Sequence, residues 1–147
     1  MTRQEFIVAL MRYLGTDLTA YSAAPLAYAD TDRIASWALD AVRAATSLGY
    51  LSGTSRGGVL YADPNGTITR QEAMTILSRT ASFPEASTRV LDGFADRASV
   101  ASWAEKALAQ MVDQKIIAGS NGRLNPSGNV TRGEVAKMLY LLAEKKR

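Results

Sequence analysis

The sequence predicts an all-α repeat domain, and three observations carry that expectation. One tetrapeptide occurs three times, as Thr2-Arg3-Gln4-Glu5, Thr69-Arg70-Gln71-Glu72 and Thr131-Arg132-Gly133-Glu134. Each copy opens an apolar run with the spacing of a helix face. The segments between the copies repeat as well, Tyr28-Ala29-Asp30 against Phe94-Ala95-Asp96 and Ser36-Trp37-Ala38 against Ser102-Trp103-Ala104, at a constant offset of 66. A period of this length marks stacked supersecondary units that bury a core together.

The first helix is expected over residues 2–14, with Phe6, Ile7, Ala9, Leu10, Tyr13 and Leu14 on its apolar face and Gly15 as C-cap. Thr2 followed three residues later by Glu5 is a capping box, which explains two residues of the tetrapeptide. It leaves the Arg, whose charge at the positive end of a helix dipole is mildly unfavourable. An unfavourable cation placed there three times needs another reason. Residues 16–32 read as a connecting loop, and a second helix starts at Ser36 with Trp37, Ala38, Ala41, Val42, Ala45 and Leu48 as its buried stripe. Gly49 and Gly53 bracket its end. Residues 54–68 are rich in turn formers and carry one short extended segment.

The second round repeats the first. Trp103, Ala107, Leu108, Met111 and Val112 renew the stripe, Ser102 with Glu105 offers another capping box, and Gly119 answers Gly53. The offset then falls to 62, because Asn125-Pro126-Ser127-Gly128 answers Asp63-Pro64-Asn65-Gly66 after a loop four residues shorter. The last helix runs from Thr131 into Glu144-Lys145-Lys146-Arg147, cations that suit a helix C-terminus.

Composition narrows the chemistry. The 147 residues contain no cysteine and no histidine, which removes thiolate nucleophiles, imidazole bases and the zinc sites built from them. Seventeen basic against 14 acidic residues give a formal charge of +3 with no basic stripe, so nucleic acid is not an expected partner. The apolar runs fall far short of the roughly 20 residues that span a membrane. No charged, apolar and small-residue sequence of a signal peptide opens the chain. Asp63-Pro64-Asn65-Gly66 through Glu72 follows the later positions of an EF-hand loop, but its first ligand position holds Tyr61, and Arg123 in the repeat, so no metal is expected. No carboxylate pair is singled out for acid–base work, and no catalytic residue or cofactor is expected.

The recurring set is an aromatic-x-Asp triplet, a Trp-Ala helix start, a helix ending in Gly49-Tyr50-Leu51-Ser52-Gly53 or Lys115-Ile116-Ile117-Ala118-Gly119, and Ile68-Thr69-Arg70-Gln71-Glu72 after a Gly/Asn/Pro loop. In that order it resembles the S-layer homology motif over nearly the whole chain. The resemblance implies helix-loop-helix repeats around a pseudo-threefold axis. It divides the chain into the second half of a first motif (1–15), a second motif (28–82) and a third (92–147). It also implies a non-catalytic anchor at the bacterial cell surface, outside the cell. Such an anchor holds a secondary cell-wall polysaccharide of the pyruvylated N-acetylmannosamine type in grooves between motifs. The unexplained Arg then has a task, since guanidinium offers a planar fork to a carboxylate and the helix start adds backbone donors. Arg3, Arg70 and Arg132 are the matching residues; the alternative is a surface ion pair for each.

The other candidates have two readings apiece. Trp37 and Trp103 are core residues or a sugar-stacking wall; Asp30 and Asp96 cap the turn before the Trp or accept from sugar hydroxyls; Gly53 and Gly119 supply a left-handed conformation or let sugar approach the backbone. Chain order groups Arg3 with Asp30, Trp37 and Gly53, and Arg70 with Asp96, Trp103 and Gly119. Arg132 has no following half-motif, and the third site is loosened by Gly133, where the other copies have Gln. The truncated first motif leaves an apolar face that predicts a homo-oligomer or a fragment completing the triad. A helical scaffold for protein–protein interaction or self-assembly in a surface layer is the alternative function.

Overall fold

The computed structural model describes residues 1–145, so Lys146 and Arg147 of the expected basic terminus lie outside the described residues. The chain is mainly helical. It forms α1 (Arg3–Leu14), α2 (Leu39–Ser47), the hairpin β1 (Thr54–Arg56) and β2 (Val59–Tyr61), α3 (Arg70–Arg79), α4 (Glu105–Asp113) and α5 (Arg132–Lys145). Five short 3₁₀ turns join them. Two compact units result, Met1–Ile68 and Thr69–Arg147. The division falls inside the second sequence motif, so each unit joins a Thr-Arg-x-Glu helix to the half-motif that follows it.

In the first unit α1 packs on α2. Phe6, Ile7, Leu10 and Met11 are buried on α1, and Ala38, Ala41, Val42, Ala44 and Ala45 form the other side. The alanines let the two backbones approach, and burial of the larger α1 side chains contributes about 1.5–3 kcal/mol each. Gly15 ends α1 at φ 65° with its N–H on the Arg12 carbonyl, the left-handed cap expected of it. In the second unit α3 packs on α4, burying Ala73, Met74 and Leu77 with Ala107, Leu108 and Met111, while Val135, Met138 and Leu142 are the buried residues of α5.

Five expectations need correction. The helix expected from Ser36 begins at Leu39, and its counterpart begins at Glu105 after a 3₁₀ turn over Ser102–Ala104. The N-caps are Ala38 and Ala104, neither with a side-chain cap bond, so the Ser102–Glu105 box does not form. Glu105 instead lies 3.6 Å from Arg97. Because the tryptophans precede these helices, they leave the apolar stripe and are 60% and 58% exposed; Leu48 at the far end of α2 is also exposed. The segment 16–32 is not featureless, since Leu18–Tyr21, started by Asp17 accepting from Thr19 N–H, packs against α2.

The fifth correction concerns 54–61, which forms two paired strands rather than one extended segment. Gly57 and Gly58 both adopt positive φ, as the tight hairpin turn that follows strand twist requires. Its counterpart is a single bridge between Ser120 and Arg123 around Asn121 and Gly122, again both at positive φ. The four-residue length difference is therefore two extra residues on each strand.

Candidate functional site

Each tetrapeptide starts a helix in the same way. Thr2 Oγ1 accepts from Glu5 N–H at 3.2 Å and Thr2 N–H donates to Glu5 Oε1 at 2.9 Å. Thr69 Oγ1 accepts from Glu72 N–H at 3.3 Å, and Thr131 Oγ1 from Glu134 N–H at 3.1 Å. In α1 and α3 the Pro/Gly loop that leads into the next copy of the tetrapeptide covers the next two donors. Arg3 and Gln4 N–H donate to the Gly66 and Pro64 carbonyls, and Arg70 and Gln71 N–H to those of Gly128 and Pro126, at 2.9 to 3.1 Å. The backbone donors expected to serve an anion at these two starts are thus already used. What they leave for recognition is side-chain charge.

The Arg of the tetrapeptide has a structural task within the second unit. Arg70 Nε and Nη2 donate to the two Glu134 oxygens at 2.5 and 2.6 Å. Glu134 Oε1 also accepts from Thr131 N–H at 3.3 Å, so one carboxylate caps α5 and holds the Arg of the previous copy. The Arg70 bonds come first in keeping the Glu134 carboxyl below its ordinary range; burial opposes them, and the Thr131 hydroxyl and N–H assist. Space for the guanidinium comes from Gly128, where a Cβ would collide with Arg70 Nη1, and Gly66 makes the same room for Arg3.

The other predicted residues divide between scaffold and surface. Asp30 is buried, and its two oxygens accept from Ala62 and Asp63 N–H, both at 2.9 Å. Asp96 holds Leu124 and Asn125 N–H at 2.9 and 2.8 Å. Neither caps its own turn; each instead fixes a residue at positive φ, Asp63 or Asn125, just before a proline. Burial acts on the Asp96 carboxyl most and would raise it, but the N–H groups of Leu124, Asn125 and Asp96 itself, with Arg123 nearby, hold it below the ordinary range. Gly53 and Gly119 sit at φ 75° and 76°, and a Cβ on either would strike the ring of Tyr28 or Phe94. The close approach at these glycines is to the chain's own aromatic residue. Gly119 in addition borders open space.

That space is a cavity of about 420 Å³ in the second unit, within the roughly 300–1,000 Å³ typical of small-ligand sites. Arg70, Gly119, Arg123, Glu134 and Lys137 are on its wall. It brings Arg70 and Gly119 together, as chain order suggested. Asp96 lies behind the wall, supporting Leu124 and Asn125, and Trp103 and Arg132 do not line it. Trp103 is nonetheless held close in chain to a fixed point, because buried Gln71 accepts from Ala101 N–H at 3.0 Å. Gln4 does the same for Ala35 near Trp37 at 2.9 Å. These two glutamines were legible only as the variable position of the tetrapeptide. Gly133, with no side-chain amide, makes no such tether.

In the first unit the rim differs. Arg56 donates to both Asp63 oxygens at 2.8 and 3.1 Å and lies 4.2 Å from the Tyr61 ring centre. Those bonds, partly opposed by burial and aided by the charge of Arg3, hold the Asp63 carboxyl below its ordinary range.

Comparison with known proteins places this geometry in a family. The S-layer homology domain model matches residues 27–74 and 93–136. The chain is similar to an amylopullulanase of Thermoanaerobacterium thermosulfurigenes, 30% identical over 150 positions that take in 99% of this chain and 8% of that protein. It is also similar to the exoglucanase XynX of Acetivibrio thermocellus, 29% identical over 150 positions, 99% of this chain and 13% of that protein. The chain thus spans a small part of either relative. With well over half of its length matched by the family model, the chain belongs to the S-layer homology domain family.

Proposed function

We propose that this chain is a non-catalytic anchor that binds an anionic secondary cell-wall polysaccharide, of the pyruvylated N-acetylmannosamine type, at the bacterial cell surface. Anchoring at the surface goes with membership of the family; the ligand chemistry is the further step. The observation that carries it is the charge of the second unit's cavity, where Arg70, Arg123 and Lys137 meet a single acid, Glu134. A carboxylate on a sugar suits such a wall, and cations in a partly desolvated cleft hold it better than in open water. The exposed Trp37 and Trp103 add apolar faces on which a sugar ring can lie. No helix among the described residues is long and apolar enough to cross a membrane.

The test is co-sedimentation with bacterial cell walls bearing a pyruvylated polymer, before and after mild acid has cleaved the ketal. The chain is expected to pellet with the intact walls and to stay in solution with the treated ones. Equal pelleting with both would overturn carboxylate recognition. Retention by a purified surface-layer protein, without wall polymer, would favour the scaffold reading.

A further inference from the structure

The cavity in the second unit has more positive charge than the repeated motif supplies, and the excess is not taken up in ion pairs, although the charge of Arg123 helps hold the Asp96 carboxyl. Arg70 is taken up by the two-bond pair with Glu134. Arg123 and Lys137 also line the cavity, yet neither makes an ion pair with any acid among the described residues. Arg123 closes the short Ser120–Arg123 bridge through its backbone, so its side chain is not needed for that turn. Lys137 lies one turn along α5 from Glu134, on the same side of the helix. At the offset of 62 the corresponding residues are Tyr61 and Thr75, so neither charge recurs in the chain.

We propose that Arg123 and Lys137, rather than Arg70, supply the charge that meets the carboxylate of an anionic saccharide in this cavity. The proposal rests on the wall-polysaccharide reading above and specifies which residues would discriminate the ligand. A carboxylate seated between them takes a forked pair of bonds from Arg123 and a point charge from Lys137. Glu134 does not repel it strongly, because Arg70 and Thr131 N–H already neutralise that carboxylate. Gly119 borders the cavity beside them, its Cβ direction filled by Phe94 and the Arg123 carbonyl.

The experiment is a ¹⁵N NMR titration with the methyl glycoside of pyruvylated N-acetylmannosamine and with the same glycoside lacking the ketal, reading the amides of Gly119 and Ser120. Arg123→Gln and Lys137→Met keep much of each stem and remove the charge. Each is expected to weaken binding of the pyruvylated sugar at these amides by about tenfold, and the pair by about a hundredfold, with unchanged melting temperature. Unchanged affinity of the double variant, while the wild type still prefers the pyruvylated sugar, would overturn the proposal and leave the wall-anchoring reading standing. Equal response of the wild type to both sugars would overturn both.

Discussion

Gly128 has no backbone reason to be glycine: it is absent from the residues at positive φ, and its value is the room it leaves for Arg70. Alanine there must push the guanidinium off Glu134. Gly128→Ala is therefore expected to cost about 1 kcal/mol, the upper end for a partly exposed ion pair, and to lower the melting temperature by a few degrees. A double-mutant cycle with Glu134→Gln checks the mechanism, because the two losses should not add. The same pair sets a pH dependence. Glu134 has a lowered native value, so its contribution is full above the ordinary Glu range and disappears as pH falls through that lowered value. The acid limb of a stability–pH curve should be flatter in Glu134→Gln than in the wild type. Trp103 is 58% exposed, so the wall-binding proposal, more than the fold, depends on it. Trp103→Ala should change stability by less than about 1 kcal/mol and weaken wall binding in the sedimentation assay.

The helices were largely legible because cap, apolar period and dipole all agree at Thr2, Thr69 and Thr131. The tryptophans were misassigned because Trp37 continues the α2 periodicity in sequence while lying before the helix in space. Periodicity cannot tell a stripe from its extension across a turn. The hairpin was half legible for a related reason: Gly57-Gly58 marks a tight turn, but Thr-Ser-Arg is too polar to announce a strand. The two hairpins differ by two residues per strand, so deleting Ser55, Arg56, Val59 and Leu60 should give the short form seen at 120–123. Circular dichroism should find that variant folded, with loss confined to the Arg56–Asp63 pair, worth about 1 kcal/mol or less at this exposure. Gln71 is the converse case. Buried and bonded to Ala101 N–H, it should cost about 1–3 kcal/mol when changed to Ala, since that N–H loses its partner.

For the whole chain, repeat logic located the candidate site and also hid part of it. Comparing copies selects what recurs, and what recurs proved mostly to be architecture. Thr and Glu cap, Gln tethers, Asp fixes the pre-proline residue, and the late Gly makes room for Arg. Arg123 and Lys137 occur once each, so that comparison did not select them as ligand residues, although both line the cavity and neither is in an ion pair among the described residues. On the proposal made above, function would reside partly in the differences between the copies, laid over a scaffold that the copies share. The most direct test is calorimetry of the intact chain with pyruvylated N-acetylmannosamine methyl glycoside and its counterpart without the ketal. Carboxylate recognition predicts measurable binding of the first, weakened as ionic strength rises, and at least tenfold weaker binding of the second. Equal affinity for the two sugars would contradict it.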